Sequence, residues 1–166
     1  MSTTGATKQD ASDLEAAMSR AGRLLTLRQR TESEIVDRLG TAGFAPPVVA
    51  EAVARLKELR LLDDATFARS WVGERLRRKG SGPALLRAEL IDRGVDEAVV
   101  EEVLAEALPD ESLRATEVAT KLLGRIGGLP LEKQVARLMG ALARKGFSPE
   151  AVEEALRAVL PPEGWD

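Results

Sequence analysis

The sequence predicts an all-α protein of three tandem three-helix repeats in an elongated, curved array. Three observations carry this. No segment alternates polar and apolar residues for long enough to make a strand, whereas apolar residues recur three and four apart throughout. Aromatic residues make up only 3% of the chain, so the core is built from Leu, Val and Ala, a mixture that favours helices. The third observation is an internal repeat. Gly43-Phe44, Gly94-Val95 and Gly146-Phe147 stand 51 and 52 residues apart. Four residues before each glycine come Leu39, Leu90 and Leu142, and eight before come Ile35, Leu86 and Leu138. Six after come Val49, Val100 and Val152, and ten after come Val53, Leu104 and Leu156, with Glu51, Glu102 and Glu154 also matching. The register has a mechanism. The glycine ends one helix, and the apolar residue after it precedes the next N-cap (Ala45, Asp96, Ser148), from where it can staple onto the fourth helical position. One such unit buries little on its own, and stacking extends the core.

The elements follow in order. Residues 1–12 are small and polar and are expected to form a disordered tail. The first repeat takes residues 13–60. Its first helix starts at Asp13 and turns Leu14, Ala17, Met18, Ala21, Leu24 and Leu25 to one face. Thr31-Glu-Ser-Glu34 has the form of a capping box for a short helix with Ile35, Val36 and Leu39. Pro46 and Pro47 open a third, with Val49, Ala52, Val53, Leu56 and Leu59 inward. The second repeat takes residues 61–108. Asp63 and Asp64 can cap and complement the start of a helix bearing Phe67, Trp71, Val72 and Leu76. Gly80 and Gly82 break it, Pro83 opens the next with Leu86 and Leu90 inward, and Asp96 caps a helix carrying Val99, Val100, Val103 and Leu104. The third repeat takes residues 109–162. Asp110 to Ile126 is a helix. Gly127-Gly-Leu-Pro130 is a turn. Val135, Leu138, Met139 and Leu142 line the next helix, and Ser148-Pro149 starts the last, which Pro161 and Pro162 end.

Composition excludes several kinds of chemistry. Among 166 residues there is no Cys and no His, which removes disulfides, thiol nucleophiles, the usual zinc sites and imidazole catalysis. Gly80-Ser-Gly82 lacks the Lys-Ser/Thr of a phosphate loop and follows a helix rather than a strand. No enzyme, metal or cofactor constellation stands out, and none is expected. Acidic residues fall largely on helix faces near basic ones, Glu89 and Arg93 being a typical pair four apart. No apolar run approaches the roughly 20 residues of a membrane span, and the N-terminus lacks the apolar core of a signal peptide. A cytoplasmic monomer is the expectation.

Charge is polarised although the total is only −3. From Thr66 to Ala88 there are six basic residues (Arg69, Arg75, Arg77, Arg78, Lys79, Arg87) against the single acid Glu74. From Val95 to Glu117 there are eight acids against Arg114 alone. A local positive patch can hold phosphate or an acidic protein surface, and it can equally be a solvated helix end whose cations complement the dipole. Smaller basic groups fall in the other repeats, at Arg23, Arg28 and Arg30 and at Arg137, Arg144 and Lys145. With no Asn and three Gln, reading of base edges looks poor.

The run Leu61-Leu-Asp-Asp64, Phe67-Ala68, Trp71, Arg75, the basic residues 77–79, Gly82-Pro83, Leu86, Glu89-Leu90 and Gly94-Val95 resembles the RecX family of bacterial recombination regulators. The Leu27–Ile35 segment and Lys145-Gly-Phe-Ser148 are similar to the family too, so the resemblance spans about residues 14–160. It implies tandem three-helix repeats and a non-enzymatic function: binding the RecA filament on single-stranded DNA and limiting its ATP hydrolysis and strand exchange. By the same resemblance Arg69, Arg75, Arg77, Arg78, Lys79 and Arg87 are the expected contacts to that filament, with single-stranded DNA met through it. The alternative is a helix-turn-helix protein acting on DNA directly.

Overall fold

The computed structural model describes residues 8–108 and 110–162. Among them the regular elements are α-helices: α1 (Lys8–Leu27), α2 (Glu32–Thr41), α3 (Pro46–Glu58), α4 (Asp64–Lys79), α5 (Pro83–Asp92), α6 (Glu97–Ala107), α7 (Glu111–Ile126), α8 (Leu131–Arg144) and α9 (Pro149–Val159). Helix α1 begins at Lys8, five residues ahead of the expected start at Asp13. The rest of the expected tail, residues 1–7, lies outside the described residues.

The helix ends follow the residue types. Thr31 closes a full capping box with Glu34 at the start of α2. Asp63 Oδ1 accepts the amides of Ala65 and Thr66 at 3.0 and 3.2 Å, and Asp96 Oδ1 accepts that of Ala98 at 2.9 Å. Asp110 and Ser148 cap α7 and α9 in the same way. The three repeat-marking glycines adopt the left-handed conformation, with φ of 95° at Gly43, 80° at Gly94 and 89° at Gly146. One residue breaks that rule. Arg60 takes φ of 56° after α3, in a turn closed by Arg60 N–H to Lys57 O at 3.0 Å and Leu61 N–H to Leu56 O at 2.9 Å.

Of the fifteen apolar positions aligned in the repeat, fourteen are buried and Phe44 is partly buried. The matching Glu51, Glu102 and Glu154 are exposed, so the glutamate match serves no core. Some expected inward residues face out. Leu59, Met139 and Val36 are exposed: Met139 and Val36 stand at the margin of their helices' apolar stripes, and Leu59 lies past the end of α3 as its C-cap.

The chain forms two compact units. The first holds the residues up to Ala68 together with Ile91–Val99, and the second holds Arg69–Leu90 together with Val100 onward. In the first, α1, α2 and α3 pack on one another around Leu14, Ala17, Ala21, Ile35, Leu39, Val53 and Leu56. Thr31 is fully buried there, with its hydroxyl doubly satisfied: it donates to Arg93 O at 2.7 Å and accepts from Glu34 N–H at 3.1 Å. In the second unit α7, α8 and α9 enclose Ala115, Ala119, Leu138, Leu142, Phe147, Val152 and Leu156. Each fully buried Leu or Ile is worth about 1.5–3 kcal/mol relative to exposure, so these side chains carry most of the stabilisation.

Candidate functional site

All six basic residues singled out in the sequence belong to the second unit. Five lie on α4 and Arg87 lies on α5. Helix α4 ends in Arg77, Arg78 and Lys79, where cations complement the negative end of the dipole. The chain then makes a tight turn through Gly80, at φ of 59°, Ser81 and Gly82. That turn sits on the α8–α9 turn. Gly82 N–H donates to Lys145 O at 2.7 Å and Ala84 N–H to Gly146 O at 3.0 Å. The backbones approach so closely that a Cβ on Gly82 would lie 2.5 Å from Gly146 C.

The last carbonyl of α4 and a carbonyl of the turn after it are answered by other cations. Lys145 Nζ donates to Lys79 O, and Arg114 Nη2 donates to Ser81 O at 2.9 Å. In the sequence Lys145 falls in a separate basic group and Arg114 is a lone cation in an acidic stretch. Their positions 66 and 33 residues away from their acceptors hid the association. Burial pulls the Arg114 guanidinium below its ordinary value, with Glu117 and Glu111 opposing. Its Nη1 is buried without a hydrogen-bond partner among the described residues.

The six cations differ in their partners. Arg69 Nε pairs with Glu106 Oε2 at 3.2 Å. Arg87 pairs with Glu101, Nη2 to Oε2 at 3.2 Å, and this hydrogen bond holds the Glu101 carboxyl below its ordinary range. Both acceptors lie on α6, so the acidic stretch neutralises part of the basic one. Arg75 Nε pairs with Glu89 Oε2 at 3.2 Å while its guanidinium lies 4.6 Å from the Trp71 ring centre. The same Glu89 oxygen accepts Trp71 Nε1–H at 2.9 Å. Within the second unit Glu89 meets Arg75 and Trp71, and within the first Arg93 Nη1 donates to Glu34 Oε1 at 2.9 Å. Arg78 meets Glu74 one turn away at 3.5 Å, with three quarters of its side chain exposed. Arg77 and Lys79 are exposed and have no carboxylate partner among the described residues. Chemically, the end of α4 offers exposed cations to an anion, while Arg69, Arg75 and Arg87 are tied to glutamates.

No group of His, Cys, Asp or Glu able to hold a metal occurs among the described residues, and no described helix is long and apolar enough to cross a membrane.

The chain is similar to known proteins over most of its length. Family models described as the first, second and third three-helix domains of RecX match residues 17–56, 63–104 and 110–156. "Regulatory protein RecX" of Thermobifida fusca is 36% identical over 86% of this chain and 77% of that protein. Its namesake from Chlorobium phaeobacteroides is 32% identical over 89% of this chain and 96% of that protein. Among solved structures, RecX from Lactobacillus salivarius superposes with a TM-score of 0.81 at 22% identity, over 90% of this chain and 97% of the other, which is a likeness of fold. A second structure, of a regulatory protein RecX, has a TM-score of 0.74 at 27% identity, over 87% of this chain and 72% of the other.

Proposed function

This chain belongs to the RecX family of regulatory proteins, and from that premise we propose that it binds the RecA recombinase filament on single-stranded DNA and restrains its ATP hydrolysis and strand exchange. It thereby tunes recombination and DNA repair in the cytoplasm. It acts as a monomer, without a cofactor and without catalysing a reaction of its own. The three repeats, 13–60, 61–108 and 109–162, serve as successive contact modules.

The observation that supports this most directly is the end of α4. Arg77 and Lys79 stand exposed without a carboxylate partner among the described residues, and Arg78 has only a weak partner within its own helix. Such a group suits phosphate or an acidic protein surface. Arg69, Arg75 and Arg87 act mainly by holding α4, α5 and α6 in place through their glutamates. The test is the ATPase rate of the cognate RecA on single-stranded DNA with this protein titrated in. A fall in rate is expected. An unchanged rate, with binding to naked DNA in a parallel assay, would replace this reading with direct action on DNA.

A further inference from the structure

The first unit contains an open cleft of about 670 Å³ that the basic run does not share. Its apolar lining is Leu25, Leu61 and Phe67, and Arg30 and Arg60 bring cations to it. Asp63 also lines it, but its carboxylate is engaged by the amides of Ala65 and Thr66 at the start of α4. Arg60 is the observation that sets this cleft apart. It occupies the left-handed position that glycine takes at Gly43, Gly94 and Gly146, and it is the non-glycine residue with positive φ among the described residues. An L-residue pays for that conformation, and strain of this kind collects at functional sites. The turn closes the end of α3 through the Arg60 and Leu61 amides, a service that glycine would give at lower cost. Arg60 is exposed, has no carboxylate partner among the described residues, and lines this cleft and the neighbouring one.

Arg30 adds to the same argument. Its Nε donates to Leu24 O at 3.3 Å, which orients the guanidinium. Burial first, and then the charges of Arg28 and Arg38, lower its pKa, with Glu34 opposing. Leu61 is 58% exposed although it lies beside the cleft.

We propose that this cleft docks an acidic, leucine-bearing peptide segment of a partner protein, with a carboxylate held by Arg60 and Arg30 and an apolar side chain laid on Leu25, Leu61 and Phe67. Nucleic acid fits less well, because Phe67 is only 5% exposed and offers no open face on which a base could stack. The proposal stands apart from the filament reading and uses a different set of residues.

The test is a synthetic octapeptide array in which glutamate and leucine content vary independently, probed with the full chain and its variants. Peptides rich in both residues are expected to be retained best. Arg60→Gly is the decisive variant, because it relieves the backbone while removing the guanidinium. It is expected to raise the melting temperature yet lower retention about tenfold, the worth of a hydrogen bond to a charged group. Arg60→Lys is expected to keep part of the binding. Retention unaffected by Arg60→Gly, equal retention of peptides lacking leucine, or no retained peptide would each overturn the proposal. So would an oligothymidylate that displaces the peptide and itself loses affinity in Arg60→Gly, since that outcome makes the cleft a nucleic-acid site.

Discussion

The Asp64 carboxylate accepts the backbone N–H of Glu32 at 2.8 Å, so the first residue of α4 caps the start of α2. Asp63 serves its own helix, and the acidic pair that looks in sequence like one cap is two caps for two helices. Burial raises the Asp64 carboxyl above its ordinary value of 3.8, with the Glu32 amide opposing. The folded state therefore holds this proton more tightly than the unfolded chain. The group's contribution to stability is greatest below the unfolded value and falls as pH rises through the raised one. Asp64→Asn keeps an acceptor oxygen and is expected to flatten that part of the pH dependence. Asp64→Ala removes the acceptor and is expected to cost about 1 kcal/mol. Urea denaturation at about pH 4 and about pH 7 reads both, and an unchanged slope in Asp64→Asn would refute the assignment.

Gly94 is pressed against Ser33. At φ of 80°, a Cβ on Gly94 would overlap the Ser33 Cβ and Oγ. Gly94→Ala is expected to lose about 1–2 kcal/mol to the backbone and about 1–3 kcal/mol to overpacking. Ser33→Gly removes only the second part. The double variant should therefore be more stable than the sum of the singles implies, by about 1 kcal/mol or more. Simple additivity in equilibrium unfolding would place the whole cost in the backbone.

Trp71 is half-buried, and its role is as much polar as apolar: it anchors Glu89, which holds Arg75 over the indole. Trp71→Ala is expected to cost about 2 kcal/mol, below the range for a fully buried tryptophan. Trp71→Phe keeps the ring but loses the N–H donor and is expected to cost about 1 kcal/mol. A melting temperature unmoved by Trp71→Ala would make the indole a surface group available for stacking.

The pairing pattern divides the six cations. Arg77→Gln with Lys79→Gln is expected to weaken filament binding and to lower the salt slope by about two if both meet phosphate. Stability should change by no more than about 1 kcal/mol, the worth of the lost dipole interactions. Arg69→Gln with Arg87→Gln breaks the pairs with Glu106 and Glu101 and should lower stability slightly while leaving the salt slope intact. Binding measured across a salt series separates the two sets. Equal slopes would remove the end of α4 from the interface.

The helices, their caps and the threefold repeat were legible in the sequence because their causes are local. Periodicity of three and four, a side-chain acceptor two or three residues ahead of an amide, and a glycine after the last turn all act within one or two turns. For the same reason fourteen of the fifteen aligned apolar residues proved buried, Phe44 being partly so. Arg55, Arg78 and Arg157 meet the glutamate one turn back in their own helix, but tertiary structure decided which glutamate Arg69, Arg75, Arg87 and Arg93 meet. Long charged side chains on a helix face reach several candidates of similar energy, and packing chooses among them. Thus Glu89 meets Arg75 and Trp71, and Arg93 meets Glu34. The same holds for Asp64 on α2, for Lys145 and Arg114 on the end of α4, and for the strained Arg60 in its cleft. Each joins or serves groups distant in the chain, and no local pattern encodes a contact made between helices.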